Sequence, residues 1–241
     1  MSSDLRSIVD HSTRIVFFGG AGVSTESGIP DFRSGGGLYN QATATRYAPE
    51  QILSHGFFER HPEEFFAYYR AHLLYPDAQP NPAHLALAAW ERAGKLSAVI
   101  TQNIDGLHQR AGSRRVLELH GSVHSNTCLA CSKRFGLEVI LQATSIPRCD
   151  VCRGIIKPDV VLYEEALDAA VLHAAVAQLA RADTLIVGGT SLVVYPAAGL
   201  VQAFSGTNLV LINKAATDLD RQATLTLREP IGTVLAPFVE D

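Results

Sequence analysis

Residues 19–33 read GGAGVSTESGIPDFR and follow the apolar run 15–18 (IVFF). The apolar run predicts a short buried strand. Because glycine has no Cβ, the pattern Gly20-x-Gly22 would let backbone N–H groups approach a ligand closely. A helix beginning at Ser24 or Thr25 would direct its positive end and its free N–H groups at an anion. Together these features indicate a site for the pyrophosphate of a dinucleotide.

The spacing differs from the usual dinucleotide fingerprint. The pattern is Gly-x-Gly-x-x-Thr, without a third glycine and without an acidic residue about twenty positions on. This argues against a hydride-transferring dehydrogenase and leaves a simple glycine turn as the alternative. However, Asp31, Phe32 and Arg33 place an acid, an aromatic ring and a cation directly after the turn, which favours a ligand site.

Composition narrows the class of protein. The 241 residues suffice for one large domain or one domain with a small insert, and the 47% hydrophobic and 18% charged content is that of a globular protein. The net charge of −4 argues against nucleic-acid binding. The N-terminus has no apolar signal region. We therefore expect a cytoplasmic monomer with no membrane partner.

Residues 184–211 carry no charged side chain and are long enough for a membrane helix. Glycine, proline and hydroxyl residues interrupt the run at 188–191, 196 and 206–208. We interpret it as a buried strand, loop, helix and strand.

Short apolar strands alternate with helices along the chain. The predicted strands are 14–18, 97–101, 116–119, 160–162, 184–187 and 208–212. The predicted helices are 1–13, 83–93, 165–181, 195–204 and 231–238. This alternation predicts an α/β fold with a doubly wound parallel, Rossmann-like sheet.

Two regions do not fit the alternation and predict a small second module, made of 34–80 plus 121–157. The first contains an aromatic-rich helical insertion and the second contains all four cysteines. The remaining segments, 1–33 plus 81–120 plus 158–241, would form the dinucleotide-binding domain. Residues 34–39 are a candidate mobile loop over a ligand.

The polar motifs of the chain follow predicted strands. Ligands of open α/β sheets bind beyond the carboxyl ends of the strands. The motifs at 19–33, 102–105, 188–191, His120 and Asn213 should therefore meet in one crevice.

The cysteines form two pairs. Cys128 and Cys131 make one C-x2-C pair, and Cys149 and Cys152 follow after seventeen residues. This spacing is typical of a zinc ribbon, in which four thiolates close a tetrahedron and leave no position for substrate. A redox dithiol pair is the alternative. Few basic residues surround the ribbon, so nucleic-acid binding is not expected.

His120 is the candidate general base, because it follows a strand, precedes Gly121 and has a pKa near neutrality. Asn103 and Asp105 bring polar groups to the same place. These two residues are equally suited to capping a short helix over 106–110.

The ordered motifs resemble those of the sirtuins, NAD-dependent protein-lysine deacylases, of the bacterial type. The resemblance rests on five motifs that cover nearly the whole chain: Gly20 to Arg33, Thr101-Gln102-Asn103-Ile104-Asp105, Leu119-His120-Gly121 with the cysteine pairs, Gly189-Thr190-Ser191, and Ile212-Asn213.

The resemblance implies that NAD is consumed as a substrate. The acyl oxygen of the substrate lysine displaces nicotinamide, and His120 then deprotonates the ribose, whose hydroxyl attacks an imidate intermediate. The products are free lysine, nicotinamide and 2′-O-acyl-ADP-ribose. Asn103 would position the attacking groups and Asp105 would bind the carboxamide of nicotinamide.

Further site residues are implied in the same way. The catalytic residues would be His120, Asn103 and Asp105. The NAD site would comprise Gly20, Ala21, Gly22, Thr25, Asp31, Phe32, Arg33, Gln102, Asn103, Ile104, Asp105, His120, Gly189, Thr190, Ser191, Asn213, Lys214 and Ile231. The acetylated peptide would enter as an extended strand along Val160, Val161, Leu162, Tyr163 and Leu192. One structural zinc ion would be held by Cys128, Cys131, Cys149 and Cys152.

Two departures concern the acyl group. Many sirtuins have Phe-Gly-Glu where this chain has Leu162-Tyr163-Glu164, so the rim of the acyl channel should differ. The Tyr-x-x-Arg motif of succinyl- and malonyl-preferring sirtuins is not provided by Tyr68 or Tyr69. A neutral acyl group, acetyl first, is favoured. The alternatives are another neutral acyl group, mono-ADP-ribosyl transfer and a non-enzymatic NAD-binding zinc module.

Overall fold

The computed structural model describes residues 3–40 and 46–239. The first two residues of the helix predicted over 1–13, and residues 41–45 of the predicted small module, lie outside the described residues.

The described residues form two sheets. Their strands are β1 Ile15–Gly19, β2 Leu96–Thr101, β3 Val116–Glu118, β4 Gly121–Cys128, β5 Arg134–Phe135, β6 Ile156–Val160, β7 Thr184–Gly188, β8 Asn208–Ile212 and β9 Leu225–Leu227. The larger sheet has the order β3-β2-β1-β7-β8-β9, with every pair parallel. The predicted doubly wound parallel sheet is confirmed.

Strand β1 lies at the centre of this sheet and is buried on both faces. Ile15 and Phe17 pack into the core on one face, whereas Val16 and Phe18 pack into the core on the other. Burial of both faces explains why the strand is an uninterrupted apolar run. The chain turns in opposite directions on either side of β1, so the crevice beyond β1 and β7 is the topological switch point at which ligands bind.

Helices cover both faces of the large sheet. The described α-helices are α1 Ser3–His11, α2 Pro49–Ile52, α3 His55–Arg60, α4 Pro62–His72, α5 Pro82–Arg92, α6 Leu107–Arg110, α7 Glu138–Gln142, α8 Ala169–Leu179 and α9 Ile231–Leu235. Helices α1, α5 and α9 pack on one face, and α8 packs on the other beside a 3-10 helix over Ala197–Ala203.

Helix α5 shows how local sequence sets an element. The Asn81 side chain accepts a hydrogen bond from the Ala83 N–H at 2.9 Å, and Pro82 occupies the first turn. Gly94 follows the helix with a φ of +76°, the conformation expected after a helix C-terminus.

The small sheet has the order β5-β4-β6 and is antiparallel. It packs with α2, α3 and α4 around an aromatic cluster. Phe58, Phe65, Phe66 and Tyr69 are at most 3% exposed and meet mainly edge to face. The aromatic side chains of the predicted helical insertion therefore form a core between these helices and the small sheet. The division into 1–33 plus 81–120 plus 158–241 and 34–80 plus 121–157 stays a prediction.

Two predicted elements differ from the structure, and one strand of the large sheet was not predicted. The strand expected at 160–162 is instead β6, which ends at Val160 and belongs to the small sheet, because only alternate residues of Ile156–Val160 are buried. The helix expected over 195–204 is a 3-10 helix. Strand β9 was not predicted, since its three residues include a polar threonine and are only half-buried.

Candidate active site

A cavity of 740 Å³ opens at the carboxyl ends of the central parallel strands and extends to the small sheet. It is lined by every residue that the sequence assigns to catalysis and to NAD, and by Val160, Val161, Leu162 and Tyr163 of the predicted peptide site. Leu192 is the exception, because it packs against the core beneath α8 and is not part of the lining. The predicted convergence of separate motifs in one crevice is therefore seen in the structure.

The glycines after β1 also have a structural purpose that the sequence did not indicate. A Cβ on Gly22 would lie 2.8 Å from the Cα of Gly189, and a Cβ on Gly20 would lie 2.9 Å from the Cβ of Thr190. The Gly22 N–H donates to the Gly189 carbonyl at 2.8 Å. These glycines let the loops that follow β1 and β7 touch, and that contact shapes the floor of the crevice.

The helix expected from Ser24 or Thr25 is a single 3-10 turn, Thr25–Ser27, preceded by another over Ala21–Val23. A helix dipole of useful size needs more aligned peptides than one turn provides. An anion bound here would therefore contact individual N–H groups and side chains rather than the end of a helix.

Thr190 connects three loops of the crevice. Its hydroxyl accepts a hydrogen bond from the Gln102 amide at 2.9 Å. Its backbone N–H donates to Asn213 Oδ1 at 3.0 Å, and its carbonyl accepts from Asn213 Nδ2 at 2.9 Å. The loops after β2, β7 and β8 are thus joined by polar side chains that the sequence assigned to NAD.

Asp105 and Asn103 are joined through Ser24. The Ser24 hydroxyl donates to Asp105 Oδ2 at 2.6 Å and accepts from Asn103 Nδ2 at 3.1 Å. Asp105 also accepts the Leu107 N–H at 2.9 Å at the start of α6. The predicted contact of Asp105 with the start of α6 is therefore seen, and Asp105 also lines the crevice, whereas its contact with nicotinamide stays a prediction. Ser24 belongs to the quoted motif, yet its role was missed, because a buried serine gives no signal in sequence.

His120 directly precedes β4 and is half-buried. Its Nδ1 lies 3.0 Å from the Gln102 carbonyl oxygen. A carbonyl oxygen can only accept, so Nδ1 carries the proton and the neutral ring keeps its lone pair on Nε2. Burial lowers the pKa of His120 below the ordinary value of histidine. The ring is therefore held neutral, with a basic nitrogen available to the cavity it lines.

The segment Asp31–Asn40, here called the cofactor-side segment, turns back on itself along the crevice. Asp31 Oδ1 accepts the N–H groups of Arg33 and Ser34 at 3.0 and 2.8 Å. The Tyr39 N–H donates to the Phe32 carbonyl at 2.9 Å. These hydrogen bonds give the predicted loop a defined conformation. The Asp31 carboxylate stabilises the turn that places Arg33 and Ser34.

The segment Val160–Glu165, here called the substrate-side segment, uses its own N–H groups. Val161 donates to the His120 carbonyl at 2.9 Å, and Tyr163 donates to the Leu53 carbonyl at 3.0 Å. Leu162 donates to Glu165 Oε2 at 2.9 Å. A peptide strand laid along this segment must therefore bond to other backbone groups than these three N–H donors.

Two buried histidines lie beneath the crevice, and sequence reasoning did not single them out. The rings of His84 and His108 are 4.7 Å apart. Burial lowers the pKa of His84 to about 4 and that of His108 well below its ordinary value. Both rings are therefore neutral at pH 7. Their positions on the inner faces of α5 and α6 were the only sequence signal.

The four cysteines are brought together as predicted. Their Sγ atoms all lie within 4.8 Å of one another, with Cys128 to Cys152 at 3.4 Å and Cys131 to Cys149 at 3.7 Å. Zinc–sulfur bonds of about 2.3 Å would place tetrahedral sulfurs about 3.8 Å apart, so the four thiols fit one zinc ion. No cysteine lines the cavity among the described residues, which agrees with a structural metal.

The two cysteine turns are built alike. The residue after each pair, Ser132 or Arg153, has a left-handed φ of 59° or 63°. A Cβ on Gly154 would lie 3.0 Å from Cys128 Sγ, so glycine is required where the turns meet. Both turns therefore bring their sulfurs inward by the same local geometry.

Among residues 3–40 and 46–239, no helix is long and apolar enough to cross a membrane. The uncharged run 184–211 contains β7, a 3-10 helix and β8, so the predicted order of strand, helical segment and strand is confirmed.

Comparison with known proteins agrees with this geometry. A family model described as Sir2 family matches residues 20–196. A Clostridium perfringens protein named NAD-dependent protein deacetylase is 56% identical over 237 residues, which are 98% of this chain and 97% of the relative. A solved structure described as Sir2 with p53 peptide and NAD+ matches with a TM-score of 0.87 at 40% identity, over 100% of this chain and 98% of the other. A second, described as a Sir2 variant with deacetylated p53 peptide and 3′-O-acetyl-ADP-ribose, has a TM-score of 0.88 at 40% identity, over 98% of this chain and 96% of the other.

Proposed function

This chain belongs to the Sir2 family and is an NAD-dependent protein-lysine deacetylase, and we propose that the crevice described above is its active site. It transfers the acetyl group of a modified lysine to the ADP-ribose portion of NAD, leaving free lysine, nicotinamide and 2′-O-acetyl-ADP-ribose. NAD is consumed in this reaction, and zinc is the structural metal. The observation that carries the site assignment is the placement of His120, with Nδ1 bonded to Gln102 and the ring lining the same cavity as the glycine motif.

In the proposed site the nucleotide lies over the loops that follow β1, β7 and β8. Thr190 and Asn213 already bond to each other there, so the polar groups facing the phosphates and ribose are arranged before the ligand arrives. Ala21, Thr25 and Arg33 line the same part of the cavity, and Lys214 and Ile231 line it further along β8 and α9.

The nicotinamide end would lie near Ile104 and Asp105. Asp105 is oriented by Ser24 and by the Leu107 N–H, and Ile104 packs against the aromatic cluster. These contacts fix the two side chains that would hold the carboxamide and exclude water.

His120 is the proposed general base. Nε2 carries the lone pair, and the lowered pKa keeps the ring unprotonated at neutral pH, so it can take a proton from a ribose hydroxyl. Asn103 is 8% exposed and is held by Ser24 and Thr101, which suits a side chain that positions the reacting groups.

The acetylated peptide would occupy the part of the cavity lined by Val160–Tyr163 on one side and Val194–Tyr195 on the other. Main-chain recognition of an extended peptide predicts broad sequence tolerance. Because three N–H groups of the substrate-side segment are engaged, we expect part of that recognition to come from the 190–195 loop. A monomeric state and a cytoplasmic location stay predictions.

Mass spectrometry of an acetyl-lysine peptide, incubated with and without NAD, tests the function directly. The acetyl mass should disappear only with NAD, and nicotinamide and acetyl-ADP-ribose should appear in equal amounts. Nicotinamide release from an intact acetyl peptide would instead indicate another acyl group or ADP-ribosyl transfer.

His120→Ala tests the proposed base. Loss of general base catalysis should lower kcat by about 10²- to 10⁴-fold while NAD binding remains measurable by calorimetry. His173→Ala, at an exposed position of α8, is the matched control and should turn over as the wild type does. Retention of most activity in His120→Ala would remove His120 from this role.

A further inference from the structure

The hydroxyl groups of Tyr39 and Tyr163 lie 2.6 Å apart. Tyr39 belongs to the cofactor-side segment, Tyr163 belongs to the substrate-side segment, and both line the cavity. Their hydrogen bond therefore joins the two segments across the crevice.

On the cofactor side, Tyr39 is packed among residues that the proposed function assigns to NAD. Its ring meets the ring of Phe32 edge to face at 5.4 Å, and the Arg33 guanidinium lies 5.4 Å from its centre. The Tyr39 N–H also donates to the Phe32 carbonyl. A contact that fixes the position of Tyr39 therefore also restricts the positions of Phe32 and Arg33.

On the substrate side, Tyr163 extends from a fixed backbone. Its N–H donates to Leu53 and its carbonyl accepts from His55, both at 3.0 Å. The next residue, Glu164, accepts the Gly56 N–H at 2.9 Å. The phenol of Tyr163 is therefore carried by a backbone that is hydrogen-bonded on both sides, although 38% of the residue is exposed.

The phenol of Tyr39 keeps its proton under working conditions. Burial, with the hydrogen bond to Tyr163, raises the pKa of Tyr39 above the ordinary value of tyrosine. The Tyr39 hydroxyl can therefore donate to the Tyr163 oxygen.

We propose that Tyr39 and Tyr163 are positioning residues for the deacetylation reaction, whose hydroxyl pair couples the binding of NAD to the binding of the acetylated peptide. The proposal rests on the assignment of the two segments to these two substrates. When the two hydroxyls are bonded, the cofactor-side segment is held against the substrate-side segment. Binding of the peptide then helps to order the residues that contact NAD, and binding of NAD helps to order the residues that contact the peptide. Neither residue is assigned a chemical step.

The expected size of the coupling between the two binding sites follows from the hydrogen bond that is removed. A single neutral hydrogen bond in a partly exposed site corresponds to about two- to tenfold in an equilibrium constant. Coupling between two binding sites is reciprocal, so the factor by which peptide favours NAD must equal the factor by which NAD favours peptide.

Tyr163→Phe and Tyr39→Phe remove one hydroxyl each and keep the rings that pack. KM for NAD, measured at several fixed concentrations of acetyl-lysine peptide, should rise about two- to tenfold in either variant, with a much smaller change in kcat. The dependence of KM for NAD on peptide concentration should weaken. The double variant should be no worse than either single one, because both remove the same bond.

Tyr68→Phe is the matched control. Tyr68 lies in the aromatic cluster outside the cavity lining, and its buried hydroxyl has no hydrogen-bond partner among the described residues. This variant should keep the KM values of the wild type. Wild-type KM values in Tyr163→Phe, or effects that add in the double variant, would overturn the coupling. His120→Ala tests the proposed function separately, since its kcat loss does not depend on this pair.

Discussion

The two walls of the crevice are held in place by different means. The wall of parallel strands relies on backbone contacts, such as Gly22 to Gly189 and Gly20 to Gly188. The substrate-side segment combines the backbone bonds of Val161 and Tyr163 with an ionic network, in which Glu165 accepts from His55 at 2.8 Å and from Lys157 at 3.1 Å. Backbone contacts between central strands resist exchange, whereas a half-buried ionic network can rearrange with pH and ligand. The first wall is therefore the fixed wall of the crevice, and the ionic contacts make the second the adjustable wall.

The largest effect should come from removing the metal that supports the adjustable wall. Cys128→Ser deletes one of four sulfurs that meet within 4.8 Å. Structural zinc sites contribute folding free energy outright, so the small sheet should lose its ordered fold and the yield of folded protein should fall. Thermal melting with zinc analysis checks this. An unchanged Tm in protein that contains no zinc would contradict it and would make the two walls independent.

Gly22→Ala should act on the fixed wall. The added Cβ would lie 2.8 Å from backbone atoms of Gly189, and overpacking of this kind costs about 1–3 kcal/mol. Urea unfolding should show that loss, and KM for NAD should rise as the loops separate. Gly199→Ala is the matched control, because its Cβ would make only ordinary contacts at 3.5 Å. Equal stability of the two variants would show that the loop contact is not rigid.

Acid should weaken the layer beneath the fixed wall. His84 and His108 have lowered pKa values in the folded protein, so below about pH 6.5 the unfolded chain binds more protons and stability falls with pH. The loss should approach about 1.4 kcal/mol per pH unit for each histidine. Unfolding in urea between pH 7.5 and 5 should show this slope, and His108→Leu should reduce it. An unaltered slope in that variant would exclude His108 as its source.

The smallest effect should have the opposite sign and lie on the adjustable wall. The hydrogen bond to Glu165 raises the pKa of His55 in the folded protein. Its contribution to stability is fully present below the unfolded pKa of about 6.5 and is lost as pH rises through the higher folded value. An NMR titration should find the pKa of His55 above 6.5, returning toward 6.5 in Glu165→Gln. A pKa that does not move would show that Glu165 does not hold this contact.

The residues of the fixed wall could be predicted from the sequence because they occur in short continuous motifs. A glycine motif, a Thr-Gln-Asn-Ile-Asp run and a Gly-Thr-Ser run each follow an apolar strand, and topology alone makes them converge. The cysteine spacing was local in the same way, and the four thiols meet as expected.

The contacts that were missed join residues far apart in the chain. Ser24 meets Asp105, and Tyr39 meets Tyr163, through side-chain hydrogen bonds that no periodicity encodes. Strand β6 was misassigned because an apolar triplet at 160–162 overlaps the end of an edge strand that contains Pro158, a residue uncommon inside strands. Hydrogen bonds between distant side chains depend on tertiary packing, whereas sequence patterns predict only contacts between residues that are close in the chain.

The position of β1 also has a consequence for synthesis. The strand leaves the ribosome first among its sheet, yet Gly19 pairs with Thr101 on one side and with Gly188 on the other. One edge of an apolar strand therefore stays unpaired until most of the chain has been translated. Such long-range parallel pairing is slow and exposes a hydrophobic edge to other nascent chains. A molecular chaperone that shields residues 15–19 during translation would protect the step on which the whole crevice depends.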